Sequence, residues 1–499
     1  MRVLKDFMRT GCLLVPLAVA GCDLAPAYHT PHMVLPASYQ GSGPFTLARP
    51  QDQLPRGPWW QAFNDPTLDG LERRLQANNP DMKAAAEAYT QARDLAGEAR
   101  AGLLPQLSAG ASLSDNKQSL HRLFRASAGE STEASNMVDA AATWEPDFWS
   151  KIRNQTKMAK ENAQSMAAQV ASAQLSLEAE LASDYMGLRG LDSMHAVYTQ
   201  SIATYKTAIS ITSMRENDRI ASGLDVARAE NQLASAQALD TATLTSRALM
   251  QHAIAVLIGV TPSDFVLPFE TDANLTDPVI PVGVPSELLQ RRPDIAAAER
   301  TMAAASAGIG VSRAAFYPDF SLSVSAGFED NGFDLASLPN SFWALGTSAV
   351  LPLFEGGLRK AELQRTWSQF AQTSDNYKST VLAAFQQVED GLSLTTMLAI
   401  QARQQETAVR AAVKAEDMTL SLYKGGLENY LDVTVSQVYA LTAQIAEVQV
   451  QTQRLQAAVG LIRALGGGWN TNELPTADQT LPFDPLSTHA SPGDVHTPS

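Results

Sequence analysis

The sequence predicts a mainly α-helical protein with some β-strand, in which one structural unit occurs twice along the chain. Three observations lead to this fold class. Landmark residues recur at a nearly fixed spacing, two proline-free segments of about sixty residues have a helical composition, and short segments between them alternate apolar with small polar residues. We therefore expect an internal duplication of long coiled-coil helical hairpins and short β-hairpins.

The N-terminal residues have the pattern of a cleaved export signal. Basic side chains at Arg2, Lys5 and Arg9 precede an apolar segment over residues 11–20, which is too short to span a membrane core of about 30 Å. Small residues then lead to Cys22 and resemble a bacterial lipobox. This pattern predicts a signal peptide over residues 1–21 and a covalent lipid, including palmitate, on Cys22. The alternative is an ordinary signal peptide followed by a chance cysteine.

The composition of the mature chain excludes several classes of function. Removal of the signal also removes Cys12, so that no thiol remains for a disulfide, a metal or catalysis. The net charge of −15 and the pI near 5.0 argue against nucleic acid as a partner. No apolar run of about 18 residues follows the signal, so no transmembrane helix is expected. Residues 22–63 include many prolines and predict an extended, lipid-anchored tail.

The duplication is visible in the order and spacing of its landmarks. Five pairs occur in the same order, 213 residues apart early in each copy and 206 or 207 apart later. The pairs are Pro80 with Pro293, Pro105 with Pro318, Pro146 with Pro352, Leu224-Asp225-Val226 with Leu431-Asp432-Val433, and Gly259 with Gly466. They predict a first structural repeat over residues 64–268, a second over 269–469, and a disordered C-terminal tail over 470–499.

In each copy, a segment of period two follows the second proline. Apolar residues alternate there with serine and glycine, which is the pattern of a β-strand with one apolar and one small polar face. Return strands are expected over residues 137–148 and 342–354, and Asn331-Gly332 is a signal for a tight turn. Strands of about ten residues are long enough to cross a membrane when tilted. The side chains expected to face lipid are Phe320, Leu322, Val324 and Phe328.

The rest of each copy predicts long helices. Residues 154–216 and 360–424 contain no proline, and helices of this length would extend for roughly 95 Å. Such a length exceeds that of an ordinary globular domain and indicates coiled-coil packing. In the second copy, the returning helix has an apolar heptad seam. Its positions are Leu431, Val438, Ile445 and Val459 on one side and Leu441, Val448, Leu455 and Ile462 on the other.

Each chain thus supplies four strands, which are too few to close a barrel. Open strand edges cannot lie in lipid, because their unpaired backbone groups would find no water there. Small closed barrels need about eight strands. If the strands enter a membrane, the protein must therefore be an oligomer. The alternative is a lipid-anchored coiled-coil rod that braces the cell envelope, in which the strands have no membrane role.

Taken together, these features resemble the TolC-type outer-membrane efflux channels, in their lipoprotein branch. The resemblance covers residues 22 to about 469. It depends on the duplicated landmarks and on three further motifs: Gly21-Cys22-x3-Pro26-x-Tyr28, Pro58-Trp59-Trp60-x2-Phe63-x-Asp65-Pro66, and Asn79-Pro80-Asp81. The resemblance implies a homotrimer with a twelve-stranded β-barrel in the outer membrane and a twelve-helix α-barrel through the periplasm.

The same resemblance implies a function and partners. The function is that of a passive conduit in a tripartite efflux pump, which exports small toxic molecules and so contributes to multidrug resistance. Its partners would be a periplasmic adaptor protein, an inner-membrane efflux transporter and the outer-membrane lipids. A type I protein-secretion channel is the alternative within the same family. Because the transporter makes most of the selection, the chain itself does not specify the substrate.

The resemblance also implies a gate at the periplasmic helix tips, where each coiled pair reverses direction. By position, Asp432 matches an acidic constriction residue, and Leu431 and Val435 match residues that narrow the pore. Asp225 and Tyr423 match partners in the links between neighbouring helices. The alternative for Asp432 is an ordinary cap at the start of the returning helix.

Three residues depart from the family pattern. Glu428 stands where one member has an arginine, so no salt link to Asp225 is expected from it, and Arg219 and Lys424 are candidate substitutes. Arg219 also replaces the turn glycine that the second copy has, and a Cβ disfavours positive φ, so the first tip is expected to turn differently, through Gly223. Asp23 follows the lipidated cysteine, a position where aspartate tends to retain enteric lipoproteins in the inner membrane.

The sequence lacks the motifs of common catalytic and cofactor sites. It contains neither His-Glu-x-x-His nor Gly-x-Ser-x-Gly. Gly308-x-Gly310 lies in a helical pattern and not in a phosphate-binding loop, which favours a role in helix packing. His29 and His32 lie in the extended tail and are not expected to hold a metal. We therefore expect no enzyme and no cofactor other than the covalent lipid on Cys22.

Overall fold

The structure is a computed structural model that describes residues 22–33, 36, 39, 58–117, 119, 132–270, 278, 280 and 288–480. The predicted signal peptide, most of the predicted N-terminal tail and the last part of the predicted C-terminal tail lie outside the described residues.

The chain passes through the same order of elements twice. The first repeat contains helices α1 (Pro66–Asn78) and α2 (Pro80–Ala101), strands β1 (Gln106–Lys117) and β2 (Thr132–Trp144), and helices α3 (Lys151–Asn217) and α4 (Gly223–Leu257). The second repeat contains α5 (Leu288–Arg291), α6 (Pro293–Ala314), β3 (Asp319–Asp330), β4 (Ser341–Val350), α7 (Leu358–Lys424) and α8 (Tyr430–Ala464). The predicted fold class, mainly helical and internally duplicated, is confirmed.

The long helices α3 and α7 have 67 residues each, so each extends for roughly 100 Å. They lack proline and are rich in alanine, glutamine and glutamate, which favour the helix. Helices α6 and α8 each pack against both long helices, which joins the two repeats into one bundle. In the described part of the chain, no helix combines the length and the apolar character needed to cross a membrane.

The four strands form one antiparallel sheet in the order β1-β2-β3-β4. The first return strand begins five residues earlier than predicted, at Thr132, and the second begins one residue earlier, at Ser341. Both end four residues earlier than predicted, at Trp144 and Val350. The predicted tight turn at Asn331-Gly332 is wrong, because the loop between β3 and β4 runs over residues 331–340. Asp330 Oδ2 accepts hydrogen bonds from the backbone N–H groups of Gly332 (2.9 Å) and Asp334 (3.0 Å), and these bonds hold the wider loop.

A glycine with positive φ follows the C-terminal end of the returning helix in each repeat. Gly259 and Gly466 have φ values of 72° and 94°, which favour glycine because a Cβ is disfavoured there. A Cβ on Gly259 would lie 2.8 Å from the carbonyl oxygen of Asn78, and one on Gly466 would collide with the carbonyl oxygen of Arg291. Asn78 and Arg291 end α1 and α5. The same close contact therefore occurs once in each repeat.

The main core includes the region where residues 59–75 pack against α3 and α4. Its largest fully buried side chains include Trp59, Phe63, Leu68, Leu75, Tyr185 and Ile254. The indole Nε1 of Trp59 donates a hydrogen bond to Glu178 Oε2 at 3.1 Å. Burial of this size is a large part of what stabilises the fold, at roughly 1.5–3 kcal/mol for each large apolar side chain.

One carboxyl group is buried in this core without a partner. Glu72 of α1 has 0% exposure, and neither of its carboxylate oxygens has a hydrogen-bond partner among the described residues. Burial, together with the nearby charges of Glu178 and Asp69, raises the pKa of Glu72 to about 10. The side chain is therefore protonated at neutral pH.

The predicted seam of α8 is confirmed in its C-terminal half and wrong near the tip. Val459 and Ile462 are buried, whereas Leu431 and Val438 are 46% and 49% exposed. The residues that face the chain's own helices near the tip are Tyr430, Val433, Gln437 and Ala440. The difference arises because α8 packs against both α7 and α3, so that two neighbours, and not one coiled-coil partner, select the buried face.

Part of the predicted C-terminal tail is ordered. Residues Ala477–Thr480 form a single helical turn, α9. Gln164 of α3 donates a hydrogen bond to the carbonyl of Pro475 at 2.8 Å, and Arg93 of α2 donates one to the carbonyl of Thr480 at 3.1 Å. The prediction of disorder from residue 470 is therefore wrong for residues 470–480, because polar side chains of α2 and α3 hold their backbone. Residues 481–499 lie outside the described part.

Candidate functional site

The sheet has one apolar and one small polar face. Alternate residues of a strand share a face, and the register places Leu322 of β3 between Trp144 of β2 and Thr347 of β4. The apolar face continues across all four strands. It contains Leu107, Ala109, Ala111 and Leu113 of β1, Val138, Ala140, Ala142 and Trp144 of β2, Phe320, Leu322, Val324, Ala326 and Phe328 of β3, and Trp343, Leu345 and Ala349 of β4.

The opposite face contains mainly small and polar residues, with Met137, Phe342 and Val350 as larger apolar members, while Thr347 lies on the apolar face. Ser321, Ser323 and Ser325 of β3 lie on it, and Ser321 Oγ is 2.8 Å from Ser348 Oγ of β4. All four predicted lipid-facing residues, Phe320, Leu322, Val324 and Phe328, thus share the apolar face, and the serines predicted to face the lumen share the other. A sheet with this division can separate lipid from water, provided that its two open edges are covered.

The helix tips at the far end of the long helices have the same backbone in both repeats. Arg219 has a φ of 63° and Gly426 a φ of 76°. The N–H of Ile220 donates to the carbonyl of Arg215 at 2.8 Å, and that of Leu427 to the carbonyl of Leu422 at 3.0 Å. Both are Schellman turns.

The prediction that the first tip turns differently, through Gly223, is therefore wrong. Arg219 adopts the left-handed conformation despite its Cβ, and Gly223 is already the first residue of α4. The cost of a single left-handed residue, about 1 kcal/mol, is offset by the hydrogen bonds that cap α3.

Asp225 and Asp432 occupy the same position in the first turn of α4 and of α8. Asp225 completes a capping box with Ser222. Asp432 accepts a hydrogen bond from Asn429 Nδ2 at 2.7 Å, and its backbone N–H donates to Asn429 Oδ1 at 3.1 Å. The N-cap of α8 is therefore Asn429, and the Asp432 carboxylate contacts only the side-chain amide of this cap. The Asp432 side chain is also exposed, so this contact does not exclude a role in a pore.

The charged partners at the tip differ from those suggested by the sequence. Asp225 forms an ion pair with Arg228 at 3.5 Å, one turn along its own helix, and within the described residues neither Arg219 nor Lys424 takes this place. Glu428 Oε1 accepts a hydrogen bond from the backbone N–H of Asn429 at 3.1 Å.

A link between the two repeats is centred on Tyr423. The guanidinium of Arg215 lies 4.6 Å from the centre of its ring, and Arg215 Nη1 donates to its carbonyl oxygen at 2.5 Å. Tyr430 packs edge-on at 5.3 Å between ring centres. Both tyrosines are buried, and burial together with Tyr423 raises the pKa of Tyr430 to about 12. Tyr423 therefore joins α3 to the second hairpin within one chain.

Arg215 was missed by the sequence reasoning. The equivalent position in the second repeat, 207 residues later, is Leu422, so the duplication gave no indication of a link. A basic residue in the last turn of a helix was the available signal, but such a residue is also expected from the helix dipole alone.

Two predicted pore residues are exposed in the single chain. Leu431 and Val435 are 46% and 43% exposed and lie four residues apart on the same side of α8. Leu427, in the turn before α8, is 78% exposed. Exposed apolar side chains in a row indicate a surface that contacts either another molecule or the interior of an assembly.

Cys22 lies at the end of the helices that adjoins the strands. Asp23 Oδ1 accepts hydrogen bonds from the backbone N–H of Ala25 and from Asn154 Nδ2, both at 2.9 Å. Arg313 donates to the carbonyl of Leu24 at 3.0 Å. Because Asn154 lies near the start of α3 and Arg313 near the end of α6, these bonds hold the segment beside the sheet. Cys22 itself is exposed.

Gly310 makes room for this N-terminal segment. A Cβ there would lie 2.9 Å from the Cβ of Ala25 and 2.5 Å from Asn154 Nδ2. The Gly308-x-Gly310 motif therefore serves packing. Within the described residues, no group of three His, Cys, Asp or Glu side chains could hold a metal ion.

Comparison with known proteins gives concordant results. The family model described as outer membrane efflux protein matches residues 71–260 and 284–467. The chain is 30% identical over 471 residues to the pyoverdine export outer membrane protein OpmQ of Pseudomonas aeruginosa, covering 93% of this chain and 96% of that protein. It is 30% identical over 455 residues to the toluene efflux pump outer membrane protein TtgC of Pseudomonas putida, with coverages of 90% and 93%. Among solved structures, the outer-membrane channel OprN superposes with a TM-score of 0.84 at 25% identity, over 90% of this chain and 100% of that chain.

Proposed function

The chain belongs to the outer membrane efflux protein family, and from that premise we propose that it works as a homotrimer, the outer-membrane channel of a tripartite pump. Family membership places it in the outer membrane as an efflux channel that extends into the periplasm. The trimer, the gate, the lipid anchor and the individual partners are the proposed parts.

One observation carries the proposal: an open, two-faced sheet stands at one end of helices about 100 Å long. Its apolar face spans all four strands, and no other strand among the described residues pairs with the outer edges of β1 and β4. Unpaired edges cannot remain in lipid, so several chains must close one barrel. Three chains would give twelve strands, which is enough for an open lumen lined by the small polar face.

The channel is proposed to be a passive conduit driven by its partners. Helices of this length can cross the periplasm and present their tips to an adaptor protein and an inner-membrane efflux transporter. A rod that only braces the envelope would need no two-faced sheet. The two relatives named above export different compounds, pyoverdine and toluene, so we assign only the broad class of small toxic molecules to this chain.

The gate is proposed to lie at the tips. Threefold symmetry would bring three copies of Asp432 around one axis, next to the exposed apolar side chains of Leu431 and Val435. Such a ring would form a narrow entrance that attracts cations. Tyr423 would hold the surrounding helices together through Arg215, while Asp225 stabilises the start of its own helix through Ser222 and Arg228.

The lipid anchor is proposed to be attached to Cys22. The thiol is exposed and lies beside the sheet, where an acyl chain would enter the same membrane as the strands. Asp23 has a structural partner in Asn154, which gives this aspartate a role independent of lipoprotein sorting.

The experiment compares a charge on each face of β3. A lysine on the lipid face of a barrel costs about 2–4 kcal/mol near the membrane centre, whereas a lumenal lysine is tolerated. Leu322→Lys should therefore sharply reduce the amount of membrane-inserted trimer, and Ser323→Lys, one residue along the strand, should leave it near the wild-type level. Equal trimer yields from both variants would contradict the proposed orientation and favour the envelope rod.

A further inference from the structure

The small polar face of the sheet carries negative charge that no basic residue of the strands offsets. The four strands contain no arginine, and their single lysine, Lys117, lies on the apolar face. Among the described side chains of the polar face, the charged ones are Asp139 of β2 and Asp319 and Glu329 of β3. Asp319 forms an ion pair with Lys151 of α3 at 3.5 Å. The uncompensated charges are therefore those of Asp139 and Glu329.

Asp139 lies in the interior of its strand, where aspartate is uncommon. Its neighbours in the sheet are glycines on both sides, Gly110 of β1 and Gly327 of β3. A Cβ on Gly110 would lie 2.8 Å from Asp139 Oδ1, and one on Gly327 would lie 3.0 Å from the Cβ of Asp139. Among the described residues, the carboxylate forms no hydrogen bond and no ion pair. The two glycines thus leave room for a charge that has no structural partner.

Glu329 lies close to Asp139 on the same face. It is opposite Met137, two residues before Asp139 in β2, and such diagonal neighbours have Cα atoms about 7–8 Å apart. Ser135 Oγ donates a hydrogen bond to Glu329 Oε1 at 2.7 Å. Because β3 leads away from the helices and Glu329 is near its end, both carboxylates lie in the part of the sheet farthest from the helices.

The duplication shows that strand pairing does not require either charge. The two hairpins share one register, with partners in the second hairpin 213 and 207 residues after those in the first. The equivalent of Asp139 in the second copy is therefore Gly346, and the equivalent of Glu329 in the first copy is Asn116. Each copy forms the same antiparallel pair with an uncharged residue at one of these places, so the carboxylates have a role other than pairing.

We propose that Asp139 and Glu329 set the charge preference of the channel at its outer end, where they favour cations over anions. The inference rests on the proposed trimeric channel and adds a selective region that is separate from the helix tips. Threefold symmetry would place three such pairs around the lumen, and unpaired carboxylates that line a pore attract cations and repel anions. Organic cations are the class of exported molecule that this region would favour.

The experiment measures the electrostatic potential beside these residues with charged thiol reagents. Ser325→Cys places a reporter on the same face, diagonal to Asp139, about 7–8 Å away between Cα atoms and within the Debye length of about 10 Å at 0.1 M salt. The rates of modification by a cationic trimethylammonium and an anionic sulfonate methanethiosulfonate are measured on the membrane-inserted trimer. Adding Asp139→Asn with Glu329→Gln should lower the ratio of the cationic to the anionic rate by at least about threefold.

Three controls accompany the reporter. Asp115→Asn removes the same charge from the apolar face at the same end of the sheet, and the rate ratio should stay near that of the reporter alone. In 1 M salt the Debye length is about 3 Å, so the effect of the double substitution should shrink there. Protein without the reporter measures any reaction at Cys22.

The outcomes separate the charge preference from the channel. A rate ratio that the loss of both carboxylates leaves unchanged, or that Asp115→Asn lowers equally, would overturn the proposal and leave the channel intact. Failure of the doubly substituted chain to form trimer would show that the carboxylates are structural, and would overturn it as well. If neither reagent modifies the reporter in the membrane-inserted trimer, the polar face does not line a water-filled lumen, and the proposed channel itself is contradicted.

Discussion

The buried carboxyl of Glu72 predicts a stability that falls as the pH rises. Its pKa is raised to about 10 in the folded protein from an ordinary value of 4.5. Between these two values the folded chain holds a proton that the unfolded chain has released. The stabilisation is therefore fully present below about pH 4.5 and is progressively lost as the pH rises towards about 10.

The magnitude follows from proton linkage. Each pH unit inside this window lowers the free energy of unfolding by at most about 1.4 kcal/mol. Between pH 5 and pH 8 the loss would reach at most about 4 kcal/mol, and relaxation of the core reduces it. Glu72→Gln has nearly the same shape and needs no proton, so we expect it to be more stable than the wild type at pH 8, with a difference that shrinks towards pH 5.

The assay is denaturant unfolding of the detergent-solubilised protein at several pH values from 5 to 9. The midpoint of the wild type should fall with rising pH more steeply than that of Glu72→Gln. Glu87→Gln is the matched control, because Glu87 is exposed on the neighbouring helix α2, and it should follow the wild-type curve. Parallel curves for the wild type and Glu72→Gln would refute the reasoning, since the pH dependence would then arise elsewhere.

Three further predictions concern the tips and the anchor. Leu431→Ser with Asp432→Ala should raise the conductance of purified channels in planar bilayers and weaken block by multivalent cations, while unchanged values of both would leave these residues with a role at the start of α8 only. Arg215→Leu should loosen the joint at Tyr423, increasing proteolytic cleavage in the turn at residues 425–429 relative to wild type, and no change in cleavage would show that the tyrosine packing suffices. Mass spectrometry should find a lipid-modified Cys22 at the mature N-terminus, and a Cys22→Ser protein that is still processed and lipid-modified would exclude this site.

The elements and their duplication could be predicted because both appear in the sequence as regular patterns of residues. Apolar alternation identified β3, and the absence of proline identified α3 and α7 almost to their ends. The registers of the sheet then agreed with the spacing of the landmarks. These features are local or repeated, so they needed no knowledge of which elements meet in space.

The incorrect expectations concern residues whose conformation or contacts depend on the whole fold. Arg219 was expected to avoid a positive φ because of its Cβ, but the hydrogen bonds of the Schellman turn hold it in that conformation. Leu431 and Val438 follow a heptad, but a heptad does not tell which of several helices will cover it. Glu72 could have been noticed, because it lies between Leu68 and Leu75 on the apolar side of α1. Its lack of a partner, however, is a property of the packed core.

The glycine contacts that close each repeat have a consequence for export. Gly259 and its partner Asn78 both belong to the first repeat. A secreted chain enters the periplasm N-terminus first, so this contact can form before β3 has crossed the inner membrane. The second contact, between Gly466 and Arg291, needs nearly the whole chain. The two contacts therefore become possible at different points of translocation, and a side chain at Gly259 would disturb an earlier contact than one at Gly466.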